Sequence, residues 1–369
     1  MRIAFFDPSL LDYTVETPER RPLGGSQSAL CYLAVELAAL GHSVSIISNT
    51  STPGHYRGVN CTHFSFGLST SVINGFDVLV VLNQALGTAL RQKYRVSVPL
   101  VLWTGDAHTE PAIKPLGDPR ERNTWQGFAL VSAWQLDSYA RTYDVPRERS
   151  CILRNAISPS FAALEPMPPW FTSGDAPVLV YTSTPFRGLD VLLRAFPAIR
   201  ADLRGTQLHV FSSMAIYQVA AAQDQYAKLY RQCATMKGVD YHGPVGQKQL
   251  ASEIAGAAAL AYPCTFAETS CIAALEAMAM GALVLTTSLG ALPETTGGFA
   301  RMVEPHADRA RLAKDFGRMA IDALTQSRRA PDTATVRRQE QIAFVRQNYT
   351  WPRRATEWVA WLSGILGKA

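Results

Sequence analysis

The chain has 369 residues, of which 47% are hydrophobic and 18% charged, a balance that excludes a disordered protein and suggests two domains, each with its own core. Its net charge of +5 is carried entirely by residues 171–369, mostly within 301–354, while residues 1–170 balance 14 Lys/Arg against 14 Asp/Glu. That excess is too sparse in interleaved aromatics for a nucleic-acid surface and leaves at most a weak attraction to an acidic membrane face.

The opening "MRIAFFDPSLLDY" reads as a strand and a loop. It lacks the apolar length and cleavage site of a signal peptide, and no run of 18 uncharged apolar residues follows. The expectation is a cytoplasmic protein, at most peripheral to the inner face of the membrane. "GGSQSALCYLAVELAALGH" reads as a Gly-rich turn and a helix closed by Gly41. "SVSIIS", "FDVLVVLN", "VPLVLWTG", "FALVSAW" and "SCILRNAI" add strands. Near-continuous Val/Leu/Ile strands alternating with helices indicate parallel strands covered on both faces.

Residues 164–177, "LEPMPPWFTSGDAP", hold four prolines and mark a linker. The alternation then restarts: strands in "VLVYTS", "QLHVFSS", "ALAYPC" and "LVLTTS", helices in "GLDVLLRAFPAI", "QKQLASEIAGA" and "CIAALEAMAM". Two such halves argue for doubly wound domains facing a cleft, 1–168 and 176–350. A tail helix in 351–369 places Trp358, Trp361, Leu362 and Ile365 on one side and is expected to cross back to the first domain. The six cysteines form no CxxC and the seven histidines no HxH or HxxxH, so neither a disulfide framework nor a metal site is expected.

One stretch carries a chemical puzzle. In "ETSCIAALEAMAMGA" Glu276 stands in an almost wholly apolar helix, where a carboxylate is costly to bury without a partner. Ser270 is a good N-cap for a helix from Cys271 to about Met280, which Gly281 stops. The backbone N–H groups of Thr269, Ser270 and Cys271 then form an anion-binding helix end, with Glu268 at its mouth. Glu276 lies roughly 8 Å up the axis, about where the ribose of a bound nucleoside diphosphate would fall. By this reading alone, Glu276 either accepts from a ribose diol or pairs with a buried Arg or Lys of its own domain.

Glu268 and Glu276 form an E-x7-E pair inside "YPCTFAETSCIAALEAMAMGALVLTTSLGALPE", which resembles the donor-binding segment of retaining GT-B glycosyltransferases, family 4 in particular. "GGSQSALCYLAVELAALGHSVSIIS", "VSAWQLDSYARTYDVPRERSCILRNAISPSF", "RGLDVLLRAF" and "VDYHGPVGQKQL" resemble further segments of that family in the same order. The resemblance implies a GT-B pair of Rossmann-like domains, with the nucleoside-diphosphate sugar in the C-terminal one and the acceptor in the N-terminal one. It implies that Glu276 holds the ribose hydroxyls, that Glu268 contacts the donor sugar, and that the backbone of Thr269, Ser270 and Cys271 meets phosphate or sugar. Arg187, before Gly188, matches the second of the family's two diphosphate-binding cations; the first is replaced by Thr182 or Ser183. Gly24 and Gly25 match a loop beside the donor phosphates, and Asp106 or His108 a group facing the reaction centre. Asn155 matches an Asn near the family's domain boundary, where the usual following Gly is Ala156.

The resulting expectation is a retaining, metal-independent hexosyltransferase that moves a sugar from UDP, or second from GDP, to a hydroxyl of a saccharide, a lipid-linked glycan or a small aglycone. Glu268, Arg187, His108 and Asp106 are its catalytic candidates. No cofactor beyond the sugar nucleotide and no nucleic-acid partner is expected. Two rivals are a sugar-nucleotide epimerase or phosphorylase on the same fold and a non-catalytic sugar-nucleotide-binding protein. Lys228, Lys237 and Lys248 lie in no motif suited to pyridoxal phosphate, and a sensor would have lost Arg187 or the Asp106 loop. "LGGSQSA" is not a GxGxxG, which disfavours a dinucleotide enzyme.

Overall fold

A computed structural model describes residues 1–367. The chain divides into two compact units, Met1–Ala156 together with the segment from Trp351 onward, and Ile157–Thr350. Below, α1 to α10 are the helices of seven residues or more.

The first unit is built on eight strands: β1 (Arg2–Phe6), β2 (Ser43–Ser48), β3 (Gly54–Tyr56), β4 (Val59–His63), β5 (Val78–Leu82), β6 (Leu100–Thr104), β7 (Gly127–Leu130) and β8 (Ser150–Ile152). Their order is β3-β4-β2-β1-β5-β6-β7-β8, all parallel except the β3–β4 hairpin. β5 and β6 are buried at every position, as apolar strands covered on both faces must be. α1 (Gly25–Ala39), α2 (Gly87–Lys93) and α3 (Ala133–Tyr143) lie between strands. β3 and β4 escape the sequence reading because "GHY" and "VNCTH" carry little apolar alternation. Their turn is legible only afterwards: Arg57 and Gly58 both have positive φ, +51° and +82°, as a type I′ hairpin requires.

The second unit has six parallel strands, β9 (Val178–Tyr181), β10 (Gln207–Val210), β11 (Val239–Tyr241), β12 (Ala259–Tyr262), β13 (Leu283–Thr287) and β14 (Arg301–Val303), in the order β11-β10-β9-β12-β13-β14. β11 and β14 are three-residue edge strands, too short to show a period. Its helices are α4 (Leu189–Asp202), α5 (Ala227–Thr235), α6 (Gln247–Ile254), α7 (Ile272–Ala279), α8 (Arg309–Arg329) and α9 (Pro331–Asn348). Among the described residues no helix is long and apolar enough to cross a membrane.

In each sheet the chain winds outward in one direction and then in the other. The reversal falls between β1 and β5 in the first unit and between β9 and β12 in the second. At such a switch point the loops after the two strands diverge and open a crevice at their carboxyl ends, the usual ligand position of a doubly wound sheet.

The division between the units comes earlier than the proline-rich stretch suggests. The expected first domain ended at 168, whereas the chain changes units at 156/157. Ile157 and Phe161 are buried in the second core, and the Ile157 N–H donates to Tyr349 O at 3.1 Å. Prolines removed regular structure from 164–177 without freeing it: Met167 N–H bonds to Ala255 O, and Trp170 packs against the second core beneath the Arg328 guanidinium.

The tail forms α10 (Trp351–Ile365), which belongs to the first unit. Residues 368 and 369 of the expected 351–369 segment lie outside the described residues. Trp358 is 1% exposed, with its ring centroid 5.1 Å from that of Trp103 and 6.2 Å from that of Phe5. Gly127 makes room for the helix, since a Cβ there would lie 2.8 Å from both Trp361 and Ile365. Trp358→Ala is expected to cost about 3–5 kcal/mol of first-unit stability through the cavity it opens. Denaturant unfolding followed by a first-unit probe checks this, and a loss below about 1 kcal/mol would mean that α10 is not held by that contact.

Candidate functional site

The second unit's switch point gathers Arg187 and Glu268. β9 ends at Tyr181, and residues 182–187 lead through a short turn to Arg187; β12 ends at Tyr262, and residues 263–271 lead to α7. Two glycines allow close approach to the 263–271 loop, Gly188 from the β9 side and Gly290 from the loop after β13. Gly188 has φ +109°, and a Cβ on it would lie 2.1 Å from Pro263 O. Gly290 has φ +67°, and its Cβ would lie 2.4 Å from Glu268 O. The neighbouring Ala291 N–H donates to that same carbonyl at 2.6 Å. Any side chain at either glycine would drive the loops apart.

Glu268 is 3% exposed. Its Oε1 accepts from Arg187 Nη1 at 2.6 Å and from the Tyr262 hydroxyl at 2.5 Å. Arg187 lies against two aromatic rings, its guanidinium carbon 4.7 Å from the Phe266 centroid and 5.5 Å from that of Phe186. Burial is the largest influence and works against its charge, but the Glu268 carboxylate, with smaller contributions from Tyr262, Tyr217 and Cys264, turns the balance and holds the guanidinium well above its ordinary value. Arg187 Nε is buried and has no hydrogen-bond partner. The same is true of the Thr182 and Thr184 hydroxyls after β9 and the Ser212 hydroxyl after the adjacent β10. Buried polar atoms rarely go unpaired, and here four lie on the loops after two adjacent strands, a polar strand-end surface whose hydrogen-bonding capacity the fold leaves unused. Where the family resemblance expects an upstream cation, at Thr182 or Ser183, the chain has a neutral hydroxyl.

α7 begins one residue later than expected. Its N-cap is Cys271, not Ser270, and no side chain caps it. Thr269 and Cys271 are buried and Ser270 half-buried, so the loop presents backbone rather than a capping hydroxyl. Burial and then the Glu268 carboxylate push the Cys264 thiol up to about 12, and the same two causes raise Cys271 further. Neither is a nucleophile at neutral pH. The far end of α7 is clamped from α9. Gly281 turns the chain with φ +74°, Arg338 donates to Gly281 O and Met280 O, and Gln341 donates to Met278 O and Ala282 O. These bonds satisfy carbonyls that a helix end leaves open.

Glu276 is 4% exposed, and no cation among the described residues pairs with it. Its Oε1 accepts from the Ser158 backbone N–H at 3.2 Å. Of the two alternatives left open by sequence, a buried ion pair is not what the fold provides. Burial pushes its carboxyl up to about 7, with the Ser158 bond pulling the other way.

In the first unit, Gly24 is the N-cap of α1 and Gly25 its first residue. A Cβ on Gly105 would lie 3.3 Å from Ser26 Oγ, so this helix start meets the loop after β6. That loop is tied down by its backbone: Asp106 O accepts from Gln135 Nε2 at 2.8 Å and from the Tyr139 hydroxyl at 2.9 Å. His108 O accepts from the Tyr143 hydroxyl, and His108 Nδ1 is buried without a partner. Two residues at this edge were not anticipated. Asn83 follows β5 with φ +56° and accepts the Gly105 N–H at 2.9 Å. Asp7 follows β1, is 2% exposed, and accepts from Ser9, Tyr13 and Gln27. A polar residue directly after a buried apolar strand was the available signal for both. Asn155 is buried at the first unit's boundary. Among the described residues no cluster of three or more His, Cys, Asp or Glu is placed to hold a metal ion.

The chain is similar to known proteins in sequence and in fold. Residues 176–322 match the family model described as glycosyl transferases group 1. A D-inositol 3-phosphate glycosyltransferase of Streptomyces coelicolor is 30% identical over 312 residues, taking in 77% of this chain and 66% of that protein. The chain thus spans just under two thirds of that relative's length. Among solved structures, a sucrose-phosphate synthase from Thermosynechococcus elongatus superposes with a TM-score of 0.69 at 15% identity, covering 100% of both chains. Anabaena Alr3699/HepE, solved in complex with UDP-glucose, superposes with a TM-score of 0.68 at 16% identity over 99% of this chain and 100% of that one.

The isolated Glu276 carboxyl gives a pH test. A carboxyl held near 7 in the folded chain, against about 4.5 in the unfolded one, is protonated in the native state first, so its contribution falls as pH rises from about 4.5 to 7. Without ligand, wild type should lose about 3 kcal/mol relative to Glu276→Gln across that window. Parallel denaturation curves at several pH values check it, and a constant difference would show that the carboxyl is not desolvated.

Proposed function

We propose that this GT-B chain, whose residues 176–322 form a glycosyl transferases group 1 domain, is a retaining glycosyltransferase that moves a hexosyl group from a nucleoside-diphosphate sugar, UDP before GDP, to a hydroxyl acceptor. The observation that carries the reading is the set of unpaired buried polar atoms on the loops after β9 and β10, together with a buried Glu276 that no cation pairs and that accepts from Ser158 alone. A nucleotide sugar answers each of them. Its ribose diol donates to Glu276, which ionises as the two hydroxyls replace lost water. Its diphosphate takes Arg187, the Thr182, Thr184 and Ser212 hydroxyls and the backbone ahead of α7. Its sugar hydroxyls reach Glu268.

The bond from the anomeric carbon to the diphosphate oxygen breaks while the acceptor oxygen bonds to that carbon on the same face. The acceptor proton passes to the departing diphosphate, which leaves no separate protein base to be supplied. Arg187 and the N–H groups stabilise the negative charge as it builds. In this reading the phosphate charge is met by protein groups and a metal is not required. The first unit carries the acceptor, with Asp106, His108, Gly24 and Gly25 at its sheet edge. The name of the Streptomyces relative makes a phosphorylated cyclitol the first acceptor to try, ahead of saccharides, lipid-linked glycans and small aglycones. Inner-face membrane contact follows only if the acceptor is lipid-linked.

A thermal-shift panel of UDP, GDP and their sugars, run on wild type and Glu276→Ala, tests the donor site. The expected outcome is a raised midpoint for wild type with one nucleotide family, lost in Glu276→Ala. No shift with any nucleotide at millimolar concentration would sink the reading. With a donor in hand, Arg187→Met should lower kcat/KM about a hundredfold or more, the usual scale for removing a donor to developing oxyanion charge. NMR of the product's anomeric centre reads retention against inversion, and activity in EDTA reads metal dependence.

A further inference from the structure

Glu268 is held asymmetrically. Both of its strong donors, Arg187 Nη1 at 2.6 Å and the Tyr262 hydroxyl at 2.5 Å, converge on Oε1. The Cys264 thiol lies 4.0 Å from that same oxygen, with its nearer acceptor at Phe266 O, 3.1 Å away. Oε2 has no partner among the described residues, although Glu268 is 3% exposed. Tyr262 is fully buried at the end of β12, the strand on one side of the switch point. Its ring packs 5.9 Å from Tyr181 at the end of β9, and its oxygen accepts from Ser183 Oγ at 3.5 Å. A line of groups therefore runs across the switch point from Ser183 through Tyr262 and Glu268 to Arg187.

We propose that Tyr262 is a positioning residue for the donor sugar: by fixing Oε1 together with Arg187, it reserves Oε2 of Glu268 as the acceptor for a sugar hydroxyl. This rests on the donor reading above and assigns within it a residue that the E-x7-E pair does not contain. The physical basis is a limit on rotation. A carboxylate held by Arg187 alone pivots about that contact, and its second oxygen sweeps an arc. A second donor on the same oxygen, from a ring locked in the core, fixes the carboxylate plane. Arg187 meets Glu268 through Nη1, and its Nε has no partner. The line acts on the sugar end of the ligand and not on the ribose end, where Glu276 stands on a different element.

The test is Tyr262→Phe, which keeps the buried ring and removes one oxygen, with UDP and UDP-glucose titrated separately by calorimetry. UDP affinity is expected to stay within about twofold of wild type while UDP-glucose affinity and the rate of UDP-glucose turnover fall about tenfold or more, the scale of a lost hydrogen bond to a charged group. Equal losses for both ligands, or no loss for either, would overturn the proposal. Wild type binding neither ligand would overturn the proposal together with the UDP form of the donor reading, a failure distinguished by the UDP arm. Glu268→Gln and the double variant guard against a folding defect. If Tyr262 acts through Glu268, the double variant is no worse on UDP-glucose than Glu268→Gln alone, whereas multiplied losses would show independent roles.

Discussion

A buried carboxylate shared by a cation and a phenol is the constraint around which the second unit's site is arranged. Removing a charge such as Glu268 from water is expensive, and a single partner rarely repays it. Here Arg187, on the turn after β9, supplies the opposite charge and Tyr262, at the end of β12, a second hydrogen bond, so both come from the strands' ends at the sheet's reversal. Gly188 and Gly290 let the loops after β9 and β13 approach the loop bearing Glu268 at distances that no Cβ would permit. Conformational freedom at two glycines is thus converted into electrostatic order at one glutamate.

The two glutamates of the pair are treated in opposite ways. Glu268 has its charge compensated inside the protein. Glu276 does not: Ser158 is the one residue that hydrogen-bonds it, and burial pushes its carboxyl up to about 7. One is a finished part of the scaffold with a free edge, the other a buried acceptor that no cation of the described residues neutralises. α9 holds the helix that carries Glu276 by its last carbonyls, through Arg338 and Gln341, so that this cost does not loosen α7 itself.

The same logic of strand ends applies in the first unit. Asp7 and Asn83 sit directly after β1 and β5, on either side of that sheet's reversal. Asp7 is saturated with donors and fixes the loop that follows it. Asn83 adopts a left-handed backbone conformation and ties β5 to the loop bearing Asp106 and His108. Non-glycine residues held in that conformation concentrate where surrounding structure over-determines them, which is common at functional sites.

The sequence by itself determined the two doubly wound halves, because buried parallel strands announce themselves as apolar runs between amphipathic helices. It also determined the E-x7-E pair, Arg187 and the tail helix. Short edge strands such as β3, β11 and β14 were beyond it, since three residues cannot display a period. The unit boundary at 156/157 was hidden as well: prolines report where regular structure stops, not which core a segment packs against. Above all, sequence could not decide what each glutamate holds. Glu268 meets Arg187 across 81 positions and Glu276 meets Ser158 across 118, partnerships that local pattern cannot encode. Tyr262 read simply as the last apolar residue of a strand. Only the tertiary structure placed its hydroxyl on the same oxygen as the guanidinium, because that contact depends on the order of strands in the sheet and on two glycines far from it in the chain.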